Sequence, residues 1–134
     1  MDITNLQSAF AGTNYTTVLS TAQHQIIGDE PTAEGGQNKG FNPFELLLAS
    51  LATCTTATLK MYADRKNWDI KNITMQLQMQ EIANKQHIKR AIIVTANIDD
   101  LQKVRLLYIA DKCPVHKILI GNIHIETTLE VNKV

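Results

Sequence analysis

The sequence predicts an α+β domain in which antiparallel strands surround one long central helix. Three observations carry this. A capped, almost uncharged helical segment begins at Asn42. Three stretches, around residues 73–79, 88–98 and 123–131, alternate apolar with polar residues as half-buried strands do. No repeat, linker or low-complexity segment interrupts the chain, so residues 1–134 read as a single domain. The predicted order is β-β-α-β-β-α-β.

Taken in order, Tyr15-Thr16-Thr17-Val18-Leu19 is β-branched and aromatic, and Gln25-Ile26-Ile27 follows a short polar turn; both read as strands. Gly28 to Gly40 is a loop by composition. It runs straight into the central helix and can fold over that helix's N-terminal half. Its glycine spacing fits neither GxGxxG nor GxxxxGK[ST], so it does not read as a phosphate cradle.

The central helix is expected from Pro43 to about Asn67. Asn42 suits the N-cap, Pro43 the first helical position, and Glu45 the third, where it completes a capping box. The run from Leu46 to Leu59 carries no charge and is too short to span a bilayer. Its leucines point in several directions, which predicts burial on most faces, between the chain's own sheet and a second subunit.

Ile73, Met75, Leu77 and Met79 then form one strand face; Ile88, Arg90, Ile92, Val94, Ala96 and Ile98 form another, with Ala83-Asn84-Lys85-Gln86 as the turn between them. Asp99 or Asp100 caps a second helix, interrupted at Cys113-Pro114, resumed through Lys117-Ile118-Leu119-Ile120 and ended at Gly121. Ile123, Ile125, Thr127, Leu129 and Val131 alternate as a final strand.

Composition narrows the function. Lys and Arg number 13, as do Asp and Glu. With charge balanced and no basic cluster, nothing points to nucleic acid or an acidic membrane. The N-terminus lacks a signal-peptide pattern, and two cysteines without one indicate a reducing cytoplasm. Those thiols are either inert core residues or a redox pair. If the helix restarts at Pro114, Cys113 is its N-cap, where the dipole and Lys112, His116 and Lys117 favour a thiolate. Cys54, in mid-helix, needs a cation or donor from another element to fall below the reference thiol pKa of about 8.5. Cys113-x-x-His116 with Cys54 and His124 has the ligand types of a zinc site, but no second CxxC or HxxxH supports it. No metal or cofactor is expected.

Gly40-Phe41-Asn42-Pro43-Phe44-Glu45-Leu46-Leu47-Leu48-Ala49-Ser50-Leu51-Ala52-Thr53-Cys54, with Tyr62-Ala63 and Cys113-Pro114-Val115-His116-Lys117-Ile118-Leu119, resembles the OsmC/Ohr family. This family comprises osmotically inducible protein C and the organic hydroperoxide resistance proteins. The resemblance spans nearly the whole chain and suggests a divergent OsmC-like branch. It implies an intertwined homodimer with the central helices packed inside shared sheets. It also implies thiol peroxidase chemistry. Cys54 matches the cysteine that attacks the peroxide, and Cys113 the one that condenses with its sulfenic acid to a disulfide. A dithiol of the lipoyl type regenerates the pair. Two positions depart from the pattern. The peroxidase branches carry an activating N-terminal arginine, but here no Arg precedes Arg65. They place Glu directly after the helix-starting Pro, where this chain has Phe44. Glu45 falls on the helix face opposite Cys54 and reads as a cap. Lys39 is the nearest upstream cation to stand in for the arginine. The rival expectation is a non-enzymatic dimer that binds a small apolar ligand between subunits.

Overall fold

The computed structural model describes residues 3–121 and 123–134. Three short strands, β1 (Gln7–Phe10), β2 (Thr17–Ser20) and β3 (Gln25–Gly28), form an antiparallel meander. A single 3-10 turn at Thr32–Glu34 lies in the following loop. Then come α1 (Pro43–Arg65), the hairpin β4 (Ile70–Ile82) and β5 (Lys85–Ala96), α2 (Asp100–Ala110) and α3 (Pro114–Ile120).

The sequence anticipates two of the first three strands. It misses β1, whose Gln-Ser-Ala-Phe has neither alternation nor β-branching and is specified by its pairing with β2. The final strand is also corrected. Residues 123–134 have no strand pairing in this chain. Their alternation survives, but Ile125 and Leu129 stand 78% and 89% exposed. A strand exists only where an edge accepts its hydrogen bonds, and among the described residues no edge pairs with this segment.

The α1 cap forms as expected. The Asn42 side chain accepts from the Glu45 amide at 2.8 Å, and the Glu45 carboxylate accepts from the Asn42 amide at 2.8 Å. The helix does not bury all its faces within this chain. Leu51, Thr55, Leu59, Tyr62 and Ala63 form one buried stripe at helical spacing, while Phe44, Leu47 and Met61 are exposed. Once folded, α1 is longer than its uncharged run. At 23 residues it is long and apolar enough to cross a membrane by length and composition. In the domain it lies against β4, α2 and α3. The core gathers Leu59, Tyr62 and Ala63 of α1, Ile70 of β4, and Leu106, Ile109 and Ala110 of α2.

The Gly28–Gly40 loop is organised by the Asp29 carboxylate. It accepts from the amides of Tyr15 (3.3 Å), Glu30 (2.7 Å), Gln37 (3.4 Å) and Lys39 (3.2 Å), and from the Thr16 hydroxyl (2.8 Å). Burial opposes the charge, but these donors outweigh it and hold the carboxyl pKa at about 2. Gly40 is needed for close approach, because a Cβ there would sit 2.0 Å from the Ile27 carbonyl oxygen. The loop then bridges back to Gly28 at Phe41.

Candidate active site

Two elements deliver the cysteines. Cys54 lies on α1 at the edge of the buried stripe, half-buried, with Thr58 one turn further on. Cys113 is the N-cap residue of α3, with Pro114 at the first helical position, and is wholly buried. Proline supplies no amide and breaks the preceding helix, so α2 ends at Ala110 and α3 restarts beneath Cys113. The two thiols are free and lie close enough to act on each other's protonation.

Their protons are shared unequally. Burial is the largest influence on Cys54 and pushes its thiol up. Its contact with Cys113 pushes the same way, against the Val115 amide and the Thr58 hydroxyl. Burial would also raise Cys113. There, however, the Cys54 thiol, the His116 amide, the Thr55 hydroxyl and the Val115 amide together bring the thiol below its ordinary value. The sulfur of Cys113 closes no strict capping hydrogen bond; the amides act by lying close to it. Of the two thiols, Cys113 is therefore the one that ionises more readily. The donors converge on the N-cap of α3, the position where the sequence favours a thiolate, and those near Cys54 do not offset its burial.

Arg90 stands behind this pair. It is on the inward face of β5, with its side chain only 11% exposed. Its Nη1 donates to Thr55 Oγ1 at 2.8 Å. Its Nη2 donates to Asp111 Oδ1 at 3.1 Å and meets His116 Nδ1 at 3.2 Å. That contact is a hydrogen bond when His116 Nδ1 is unprotonated and can accept. One guanidinium thus links α1 to the residues on both sides of Cys113. A charged residue in phase with Ile88 and Ile92 was the available signal for it, since a buried arginine requires partners. Nothing in the sequence marked Thr55 or Asp111 as those partners. Lys39, the upstream cation, is exposed, and its amide serves Asp29.

His124 does not join the cysteines. It is 83% exposed and faces Glu126 at 3.4 Å. A cleft of about 600 Å3 opens between α1, the hairpin and the last two helices; neither cysteine is among its lining residues. Leu47, Leu51, Ile88 and Leu119 line it, and Gln86, Arg90, Asp111 and His116 form its polar part.

A family model for OsmC-like protein matches residues 36–128. The chain belongs to the OsmC family. No curated protein matches it. Among solved structures, an OsmC-like protein from Mycoplasma pneumoniae superposes with a TM-score of 0.76 at 23% identity, covering 90% of each chain. An organic hydroperoxide resistance protein OsmC from Legionella pneumophila gives 0.65 at 17% identity, covering 91% of this chain and 92% of that one. The organic hydroperoxide resistance protein OhrB of Bacillus subtilis gives 0.59 at 22% identity, covering 88% and 90%. At these identities the structural matches establish the fold.

Proposed function

We propose that the chain is a cysteine-based thiol peroxidase that reduces organic hydroperoxides. One observation carries the reading: two free thiols from different helices lie close enough to act on each other's protonation, one half-exposed and one buried. The half-exposed sulfur suits attack on an incoming molecule, and the buried one suits trapping the product. Cys54 passes its proton to Cys113 and attacks as the thiolate. An S–O bond forms, the O–O bond breaks, and the departing alkoxide takes up a proton to become the alcohol. The Cys113 sulfur then attacks the Cys54 sulfenic acid, forming the disulfide and expelling the hydroxyl, which leaves as water once protonated. A dithiol of the lipoyl type returns two electrons and two protons. The apolar cleft bordered by Arg90 and His116, though neither cysteine lines it, suits the organic part of an alkyl hydroperoxide. Free thiols working as a redox pair suit a reducing cytoplasm.

The same reading includes a homodimer. The uncovered face of α1 and the unpaired alternating C-terminal segment both suit a second copy, with the segment adding to the partner's sheet. Sedimentation should give a dimer at micromolar concentration; a folded monomer there would remove this part of the proposal.

The enzyme test is consumption of an alkyl hydroperoxide with a lipoyl dithiol. Wild type should turn over, and Cys54→Ser should not. Cys113→Ser should complete the first attack but accumulate sulfinic or sulfonic acid at Cys54, read by mass spectrometry. No consumption by the wild type would leave the ligand-binding dimer as the better reading.

A further inference from the structure

Three cations gather on two tyrosine rings, one from α1 and one from α2. The Arg105 guanidinium lies over the Tyr62 ring at 5.6 Å and over the Tyr108 ring at 4.9 Å. The Lys66 ammonium is 5.8 Å from the Tyr62 centroid, and the Lys112 ammonium 4.6 Å from that of Tyr108. A ring face attracts a cation, so the two tyrosines hold together charges that would otherwise repel. All three cations are exposed. Among the described residues, none has a carboxylate within salt-bridge distance. The acids closest to them in sequence are committed elsewhere: Asp64 to Lys60, and Asp111 to Arg90. In a chain with 13 charges of each sign, this is a local concentration of one sign.

Arg105 is also aimed. Its Nε donates to the Tyr62 hydroxyl at 2.9 Å, which fixes the plane of the guanidinium. Among the described residues its two terminal nitrogens make no hydrogen bond. They form a fork that matches a carboxylate. Leu101, Arg105 and Tyr108 recur at helical spacing on the exposed face of α2, while Leu106, Ile109 and Ala110 turn inward. Tyrosine and arginine are the residue types that carry much of the binding energy at protein interfaces.

We infer that Lys66, Arg105 and Lys112, held on Tyr62 and Tyr108, form a docking surface for an acidic segment of another protein. Carboxylates of that segment meet the Arg105 fork and the two ammoniums, and the half-exposed Tyr108 ring supplies apolar contact beside them. A nucleic acid fits less well, because Asp64 and Asp111 adjoin the cations and repel a continuous phosphate backbone. A second copy meeting its own patch across a two-fold axis would set cation against cation. None of the three cations lines the cleft beside Arg90, and the docking surface does not rest on the peroxidase reading.

Trp68 is the sole tryptophan and meets the Tyr62 ring edge-on at 5.5 Å, so its fluorescence reports on the patch. The probe is a short glutamate-rich peptide with a single phenylalanine. Wild type should bind it, with affinity falling about tenfold as salt is raised from low to well above physiological strength. Arg105→Gln should weaken binding about tenfold. Arg105→Lys should recover only part of that loss, because an ammonium has no fork. A Lys66→Gln/Lys112→Gln double variant keeps Arg105 and should also weaken binding several-fold; it decides if Arg105→Gln does not fold. Lys60→Gln, whose cation is already bound to Asp64, should change nothing. Unchanged affinity in the folded Arg105→Gln variant or in the double variant overturns the inference, as does no binding by wild type. Displacement of the peptide by inorganic phosphate at matched ionic strength overturns it by marking a small-anion site, and tighter binding of a single-stranded oligonucleotide by marking a nucleic-acid site. A change of oligomeric state in the same variants, read by sedimentation, overturns it by assigning the patch to a contact between copies.

Discussion

Asp29 and Arg90 are two charges held away from solvent by opposite means. Asp29 is satisfied almost entirely by backbone amides, four of them, from its own loop and the β1–β2 turn. Arg90 is satisfied by side chains from three elements. Backbone amides cannot turn away, so the Asp29 arrangement is fixed and shapes a loop. Side-chain partners can rotate, titrate or exchange a proton, so the Arg90 arrangement can respond to chemistry nearby. A charge held by the backbone reads as architecture, and one shared among side chains beside a nucleophile reads as function.

The comparison breaks if the two sites exchange roles. Asp29→Ala should give the largest loss of stability, because it leaves the Tyr15, Glu30, Gln37 and Lys39 amides and the Thr16 hydroxyl without their acceptor. A fall in Tm of at least about 5 °C is expected. The Cys113 titration should stay where it is in the same variant; a shift there would mean the loop and the thiols are coupled.

Acid should act on the same site. The folded Asp29 pKa of about 2 lies below the unfolded value. Its stabilisation is therefore complete above about pH 4 and is lost as pH falls through the folded value. Hydrogen exchange of the Gln37 and Lys39 amides should accelerate between about pH 4 and pH 2 beyond the intrinsic trend. Asp29→Asn should abolish that extra acceleration.

The smallest effect is expected from His116→Leu. It removes one partner of Arg90 but leaves Thr55 and Asp111 in place. Chemical denaturation should show a loss under about 1 kcal/mol. A loss several times larger would mean that Arg90 depends on this ring and that its network is as rigid as the Asp29 loop.

Much of the fold is legible in the sequence because it follows local rules. The α1 cap, the β4–β5 alternation and the break at Cys113-Pro114 each depend on residues a few positions apart, and each formed as the pattern indicates. The C-terminal segment shows the limit. Alternation from Ile123 to Val131 says that one face wants burial, but not which edge will supply the hydrogen bonds. At the site, the cysteines announce themselves by chemistry and the helix restart by proline. Arg90 was visible only as a charge out of place on an apolar face. Its partners, Thr55 and Asp111, lie 35 and 21 residues away in sequence, and only the packing of the hairpin on α1 brings them together.

The turn between β4 and β5 is as short as a hairpin allows. Ile82 pairs with Lys85, so only Ala83 and Asn84 make the reversal, both at positive φ, the pattern of a type I′ turn. Strand phase is counted from such a turn, and side chains change face with every residue. Arg90, five positions after Lys85 and opposite Leu77, faces inward because the count begins where it does. One residue inserted into β5 between the turn and Arg90 would aim the guanidinium at solvent, and Lys89 or the inserted residue would take its place on the inward face. The hairpin's tip is thus a ruler for the chemistry at its other end: a two-residue gauge, remote from both sulfurs, that sets which way the charge points.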